Sequence, residues 1–132
     1  MPLFSLLGEV DFLTGLHNRR FFVRSYKEMD NPDFYPLGVM MIDVNGLKII
    51  NDAFGHEEGD KLLIEIAQIL KKATRSEDIT SRWGGDEFAI LLPQTSSQNC
   101  EKVYKRIKDL CSKSMYKTIS PSIALGFATK NS

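Results

Sequence analysis

The chain has 132 residues, 42% hydrophobic and 26% charged, with 17 basic and 17 acidic side chains. That length and composition describe one globular domain able to bury roughly two-thirds of its unfolded surface. Balanced charge excludes a broadly basic surface for nucleic acid or an anionic membrane, apolar runs are too short to span a bilayer, and MPLFSLLGEV lacks the basic start and cleavage site of a signal peptide.

Residues 18 to 29 predict a helix, with Asn18 suited to its N-cap and Phe21, Phe22 and Tyr26 on its apolar side. Leu37 to Val44 is a near-continuous apolar run, the pattern of a central strand covered on both faces. A helix over 46–54 follows and stops at Gly55. A second spans about 57–74, where Leu62, Ile66, Ile69, Leu70 and Ala73 keep helical spacing. Glu57, Glu58 and Asp60 crowd its first turn and Lys71, Lys72 and Arg75 its last, as the helix dipole favours. Ile79–Trp83 and Phe88–Leu92 read as short strands, the second ended by Pro93. Gly84-Gly85 predicts a two-residue hairpin turn between them, because paired glycines accept the positive φ that such turns require. A polar amphipathic helix over 97–113 and a strand over 119–128 complete the order. This succession describes an α/β (α+β) sandwich, with helices packed on one mixed sheet in a ferredoxin-like or polymerase-palm-like order.

Cys100 and Cys111 fall in one predicted helix, about 16 Å apart along its axis. A disulfide needs Cα atoms within about 7 Å, so both thiols are expected to be reduced and structural.

Two acidic places stand out. Asp86-Glu87 opens a strand, where carboxylates are disfavoured, and Asp43 ends the central apolar run, where open α/β sheets place ligands. If the hairpin pairs beside that strand, Asp43 and Asp86 meet at one edge of the sheet. Two carboxylates and a nearby carbonyl form a hard oxygen site suited to Mg²⁺. The residues equally allow Asp43 to cap the helix beginning near Gly46 and Asp86-Glu87 to be a solvated tip. A calcium-loop reading of Asp43-Val44-Asn45-Gly46 fails, since Lys48 and Phe54 stand where that loop needs glycine and glutamate.

Three stretches together resemble a GGDEF domain, the diguanylate cyclase family of bacterial signalling enzymes. They are Asp11-Phe12-Leu13-Thr14-Gly15-Leu16-His17-Asn18-Arg19-Arg20, the segment from Asp43 to Asp60, and Gly84-Gly85-Asp86-Glu87-Phe88. The motif-bearing part, about 11–129, covers nearly the whole chain. The resemblance implies a palm-like sheet with surrounding helices and the joining of two GTP molecules into cyclic di-GMP with release of two pyrophosphates. It implies Mg²⁺, with Mn²⁺ as the alternative ion, held by Asp43, the Val44 carbonyl and Asp86. Such an ion neutralises triphosphate charge and polarises the α-phosphorus that a ribose 3′-hydroxyl attacks. Glu87 is implied to be catalytic, as a second metal ligand or a proton acceptor. Successive strand residues point to opposite faces, so Asp86 and Glu87 reach one ion only if the tip twists. Gly84 and Gly85 are implied to give the substrate room against the backbone.

Asn51 and Asp60 match the family's guanine contacts; a carboxylate accepts from N1–H and N2–H₂ together, a pair of donors that adenine lacks. Lys48 matches a basic residue near the phosphates. Arg75 and Asp78, in Arg75-Ser76-Glu77-Asp78, match the RxxD motif at which product inhibits, with Arg106 in support. Without the resemblance that pair reads as an ordinary helix end.

Asn45 stands where many relatives have a second aspartate, at a position not assigned as a ligand. Family members continue through a further helix and strand that supply basic phosphate-binding residues, so the resemblance implies a C-terminally truncated domain with an incomplete triphosphate clamp. It also implies a transient homodimer, because cyclic di-GMP has twofold symmetry, and an upstream sensor module in the parent protein. No heptad or large apolar stripe is present, so a monomer or weak dimer is expected in isolation. Without an export signal, a cytoplasmic location is expected, with no nucleic acid or membrane contact. The alternatives are a GTP- or cyclic di-GMP-binding regulatory module without turnover, and an interaction domain with an incidental acidic tip.

Overall fold

Leu37–Val44 forms the strand around which the domain is organised, and it lies between two partners that come much later in the chain. The computed structural model describes residues 8–114 and 121–132. In order, the elements are β1 (His17–Asn18), α1 (Arg19–Met29), a 3₁₀ turn at Pro32–Phe34, β2 (Leu37–Val44), α2 (Leu47–Phe54), α3 (His56–Ala73), β3 (Ile79–Arg82), β4 (Glu87–Leu92), α4 (Ser97–Lys113) and β5 (Ile123–Lys130). The strands make one sheet in the order β1-β3-β4-β2-β5. β1 runs parallel to β3, and every other neighbouring pair is antiparallel. The mixed sheet with four helices is the expected α+β class.

Alternation along the strands divides the interior. Met40, Ile42 and Val44 of β2 and Phe88, Ile90 and Leu92 of β4 point into the main core, against Leu62, Leu63, Ile66, Leu70 and Ala73 of α3 and Cys100, Ile107 and Cys111 of α4. Phe88, Ile90 and Leu92 are fully buried, each worth about 1.5–3 kcal/mol relative to an exposed side chain. The opposite face carries a smaller cluster in which Phe22 of α1 meets Leu37, Ile79, Ala89 and Leu91. Helices therefore lie on both faces, α1 on one and α2 to α4 on the other. Coverage of β2 is not complete, however. Met41 is 36% exposed and, with Val39, Trp83 and the Phe22 and Val23 side of α1, lines an apolar groove of about 470 Å³.

The helices follow their sequence signals closely. The Asn18 side chain accepts from the Phe21 N–H at 3.1 Å and donates to the Gly8 carbonyl at 2.8 Å, capping α1 and holding the preceding loop. α3 buries every predicted apolar position and places Glu57 and Glu58 in its first turn and Lys71 and Lys72 in its last. Cys100 and Cys111 are free and buried, and burial pushes both thiols above their ordinary pKa.

Two strand expectations are corrected. The hairpin is not a two-residue turn: β3 ends at Arg82, β4 begins at Glu87, and neither Gly84 nor Gly85 has positive φ. Its closing bonds run from the Trp83 N–H (2.8 Å) and Gly84 N–H (3.2 Å) to the Glu87 carbonyl. The last strand is Ile123–Lys130, extending past residue 128 because its register with β2 continues to Leu37. Residues 119 and 120, predicted to begin it, lie outside the described residues.

Candidate functional site

At the end of β2, Asp43 stands directly opposite Glu87 of β4. Directly paired residues share a face of the sheet, so Glu87 is the hairpin carboxylate that projects beside Asp43. Asp86 joins the same edge through its backbone, its carbonyl accepting from the Val44 N–H at 2.8 Å. Asp43 and Asp86 are exposed, Glu87 is half-buried and Val44 is 4% exposed. Asp43 is not a helix cap, because Gly46 occupies the N-cap of α2 without a side-chain cap bond. The Glu87 carboxylate folds back over the turn, its Oε1 lying 2.9 Å from where a Cβ on Gly84 would stand, a contact that this flexible side chain can yield. Among the described residues, no group of three His, Cys, Asp or Glu side chains is arranged to hold a metal. The donors of this edge, two or three carboxylates and a carbonyl, are nonetheless hard oxygens, with Asp43 and Asp86 exposed to solvent. They fit an ion such as Mg²⁺, which takes few protein ligands and keeps places for water and phosphate.

Next to this edge, α2 and α3 bring together the predicted base-binding residues. Asn51 Oδ1 occupies the position that a Cβ on Gly59 would take, 1.7 Å from it. Asp60, the next residue of α3, is exposed, and Lys48 is exposed one turn before Asn51. Asn51 Oδ1 is buried without a hydrogen-bond partner among the described residues.

Arg75 and Asp78 meet just beyond α3. Arg75 Nη2 donates to Asp78 Oδ1 (2.9 Å), the Pro93 carbonyl (2.9 Å) and Thr95 Oγ1 (2.7 Å), and the Arg75 backbone N–H donates to Asp78 Oδ2 (2.8 Å). The Asp78 side chain is 1% exposed, and its hydrogen bond holds the Arg75 guanidinium protonated more firmly than usual. Arg75 also lines a cavity of about 260 Å³, together with Asn99, Lys102 and Arg106. Arg106 Nη1 donates to the Ala73 carbonyl at 2.8 Å, fixing it to the end of α3.

Arg82 was not singled out from the sequence, yet it ties two motifs together. Its Nη2 donates to the Gly85 carbonyl at 2.8 Å, and its Nη1 lies 3.3 Å from Asp11 Oδ1. Asp11 in turn accepts from the Thr14 N–H (2.9 Å) and Oγ1 (2.7 Å). The neighbouring Trp83 is covered by the Arg19 guanidinium at 4.3 Å and by the edge of Phe22. Gly59 was overlooked as well. Its signal was a glycine inside a helix, which costs about 1 kcal/mol against alanine and so implies a packing or functional reason.

Comparison with known proteins identifies the family and the fold. The family model "Diguanylate cyclase, GGDEF domain" matches residues 9–128. Diguanylate cyclase DosC of Escherichia coli K12 is 36% identical over 130 residues, 92% of this chain and 28% of that protein. Diguanylate cyclase A of Treponema denticola is 41% identical over 99 residues, 72% of this chain and 27% of the relative. The chain thus spans under a third of the length of these relatives. Diguanylate cyclase SiaD of Pseudomonas aeruginosa, solved with its activator SiaC, superposes with a TM-score of 0.85 at 32% identity, over 98% of this chain and 54% of the other. No helix among the described residues is long and apolar enough to cross a membrane. With its three motifs assembled around one sheet edge, the chain belongs to the GGDEF domain family of diguanylate cyclases.

Proposed function

We propose that this domain condenses two GTP molecules into cyclic di-GMP, each of two copies presenting its GTP to the other across a twofold axis. The observation that carries the reading is the register opposing Asp43 to Glu87 at the end of β2, with Val44 and Asp86 joined beside them. In the reaction, the ribose 3′-oxygen of one GTP forms a bond to the α-phosphorus of the other as the bond to pyrophosphate breaks. The released proton passes to a hairpin carboxylate or to water; two such steps close the ring. Asp43, the Val44 carbonyl and a carboxylate of the Asp86–Glu87 pair would hold Mg²⁺ or Mn²⁺, which supplies charge neutralisation at the triphosphate. Asn51 and Asp60 orient the guanine, and Lys48 adds a cation on the same helix face. Arg75, Asp78 and Arg106 form the product site, where the Arg75 guanidinium meets a phosphate or guanine acceptor and binding slows turnover.

Incubation with GTP and Mg²⁺, followed by chromatography and mass spectrometry, tests the proposal. Cyclic di-GMP and pyrophosphate should form in a 1:2 ratio, and ATP should give no cyclic product. GTP bound but never converted would leave a regulatory binding module.

A further inference from the structure

We infer that Gly59 is a positioning residue for guanine selection: the absence of a side chain there creates the slot that seats the Asn51 amide. The inference rests on the proposed GTP-binding reading and extends it to a residue that contacts no base.

Gly59 is the fourth residue of α3 and is buried. Glycine is the weakest ordinary residue in a helix interior, and φ does not explain it, since among the described residues positive-φ glycines are Gly15, Gly46 and Gly55. Space does. A Cβ at this position would lie 1.7 Å from Asn51 Oδ1, 2.8 Å from Asn51 Cγ and 3.3 Å from Leu47 Cδ1. No real Cβ tolerates the first two distances, and the obstacle is a short, planar side chain packed between helices. The Asn51 amide would have to leave.

A second, independent feature points the same way. Asn51 Oδ1 is buried and has no hydrogen-bond partner among the described residues. A buried carbonyl oxygen without a donor is unfavourable, so two local rules are broken at one contact, a glycine in a helix and an unsatisfied amide. Such coincident violations belong to sites shaped for something other than stability. With Oδ1 lodged against Gly59, the other arm of the planar amide, the Nδ2 donor, is turned away from the slot. Asp60, next in sequence, offers only acceptors when ionised. Guanine presents adjacent acceptor and donor groups that match a donor beside a carboxylate, and adenine places its exocyclic amine where guanine has O6. Fixing the amide's orientation therefore fixes which base fits.

The test is Gly59→Ala in the 132-residue chain, titrated with GTP and separately with ATP, both with Mg²⁺, alongside a thermal melt. Alanine should keep a cooperative melt, weaken GTP binding at least tenfold and leave ATP binding unchanged, so that the GTP-over-ATP ratio collapses. In an Asn51→Ala background, which removes the obstacle and folds even if the single variant does not, Gly59→Ala should have no further effect on GTP affinity. Wild-type GTP affinity in Gly59→Ala, or an equal loss with and without Asn51, overturns the inference alone. A wild type that binds GTP no better than ATP overturns both the inference and the function it rests on.

Discussion

Replacing Arg82 with methionine keeps the aliphatic volume and removes the guanidinium that joins Asp11 to the hairpin tip. Two contacts are lost, the 2.8 Å bond to the Gly85 carbonyl and the 3.3 Å ion pair with Asp11, whose side chains are 20% and 19% exposed. Half-buried groups place the hydrogen bond at about 1 kcal/mol and the ion pair at about 0.5–1 kcal/mol. Some of this is offset, because Arg82 Nε is buried without a partner among the described residues and its removal relieves that cost. Asp11 keeps both bonds from Thr14, so no carboxylate is stranded. A net loss of about 1–1.5 kcal/mol follows, which for a domain of this size is a fall in Tm of roughly 3–7 °C. Circular dichroism melts measure the fall, and hydrogen exchange at residues 84–87 should speed up more than in the core of β4. The partner substitution Asp11→Asn separates the two contacts; the pair should couple by about 0.5 kcal/mol in a double-mutant cycle. A Tm within 1 °C of wild type, with unchanged exchange at the tip, would falsify the idea that Arg82 holds the hairpin.

Asp86→Asn should weaken Mg²⁺-dependent GTP binding in calorimetry without altering the melt, whereas Glu87→Gln should retain binding and lose on the order of a hundredfold in turnover if it handles the proton; equal metal dependence in the first variant removes Asp86 from the site. Arg75→Lys keeps a cation beside the 1%-exposed Asp78 but loses the planar fork, so cyclic di-GMP should bind at least tenfold more weakly, and unchanged affinity would return Arg75 to a purely structural role. If two copies are needed, specific activity should fall about tenfold on tenfold dilution below the dimer dissociation constant, and strict proportionality of rate to concentration would rule the two-copy geometry out. His17, stacked on Phe21 at 3.7 Å, has its pKa lowered from the ordinary 6.5, chiefly by burial and then by Lys71. The unfolded chain thus binds the extra proton first: this contribution to stability is full above pH 6.5 and is lost as pH falls through the lower folded value. His17→Gln should flatten that part of the stability profile, and an unaltered slope would show that other groups carry it.

The helices could be read from sequence because each is specified locally, by the Asn18 cap, the 3.6-residue spacing from Leu62 to Ala73, and Gly55 at the break between α2 and α3. Both ends of the central strand were legible for the same reason. The features that were not legible depend on which strand meets which. Asp43 faces Glu87 through the β2–β4 register, and no local pattern within either strand encodes that pairing. β1 is two residues long and doubles as the cap of α1, leaving no strand period to detect. Gly84-Gly85 suggested a tight turn with positive φ, whereas four residues separate Arg82 from Glu87 and neither glycine adopts positive φ. Arg82 was not singled out because its partners lie at Gly85 and far back at Asp11, which no local pattern in its strand reveals.

The place of β2 between β4 and β5 has a consequence for how the domain comes into being. The strand bearing Asp43 is made early in the chain, but one flank waits for the hairpin and the other for a strand that pairs residues as distant as Leu37 and Lys130. Closing such long loops is entropically slow, and topologies dominated by distant pairings fold slowly. The edge where Asp43, Val44, Asp86 and Glu87 converge is therefore expected to be completed late, after the locally specified helix α3. In pulse-labelled hydrogen exchange the amides of α3 should gain protection before those of β2 and β5, so that a half-folded chain would hold a helical core with no assembled site.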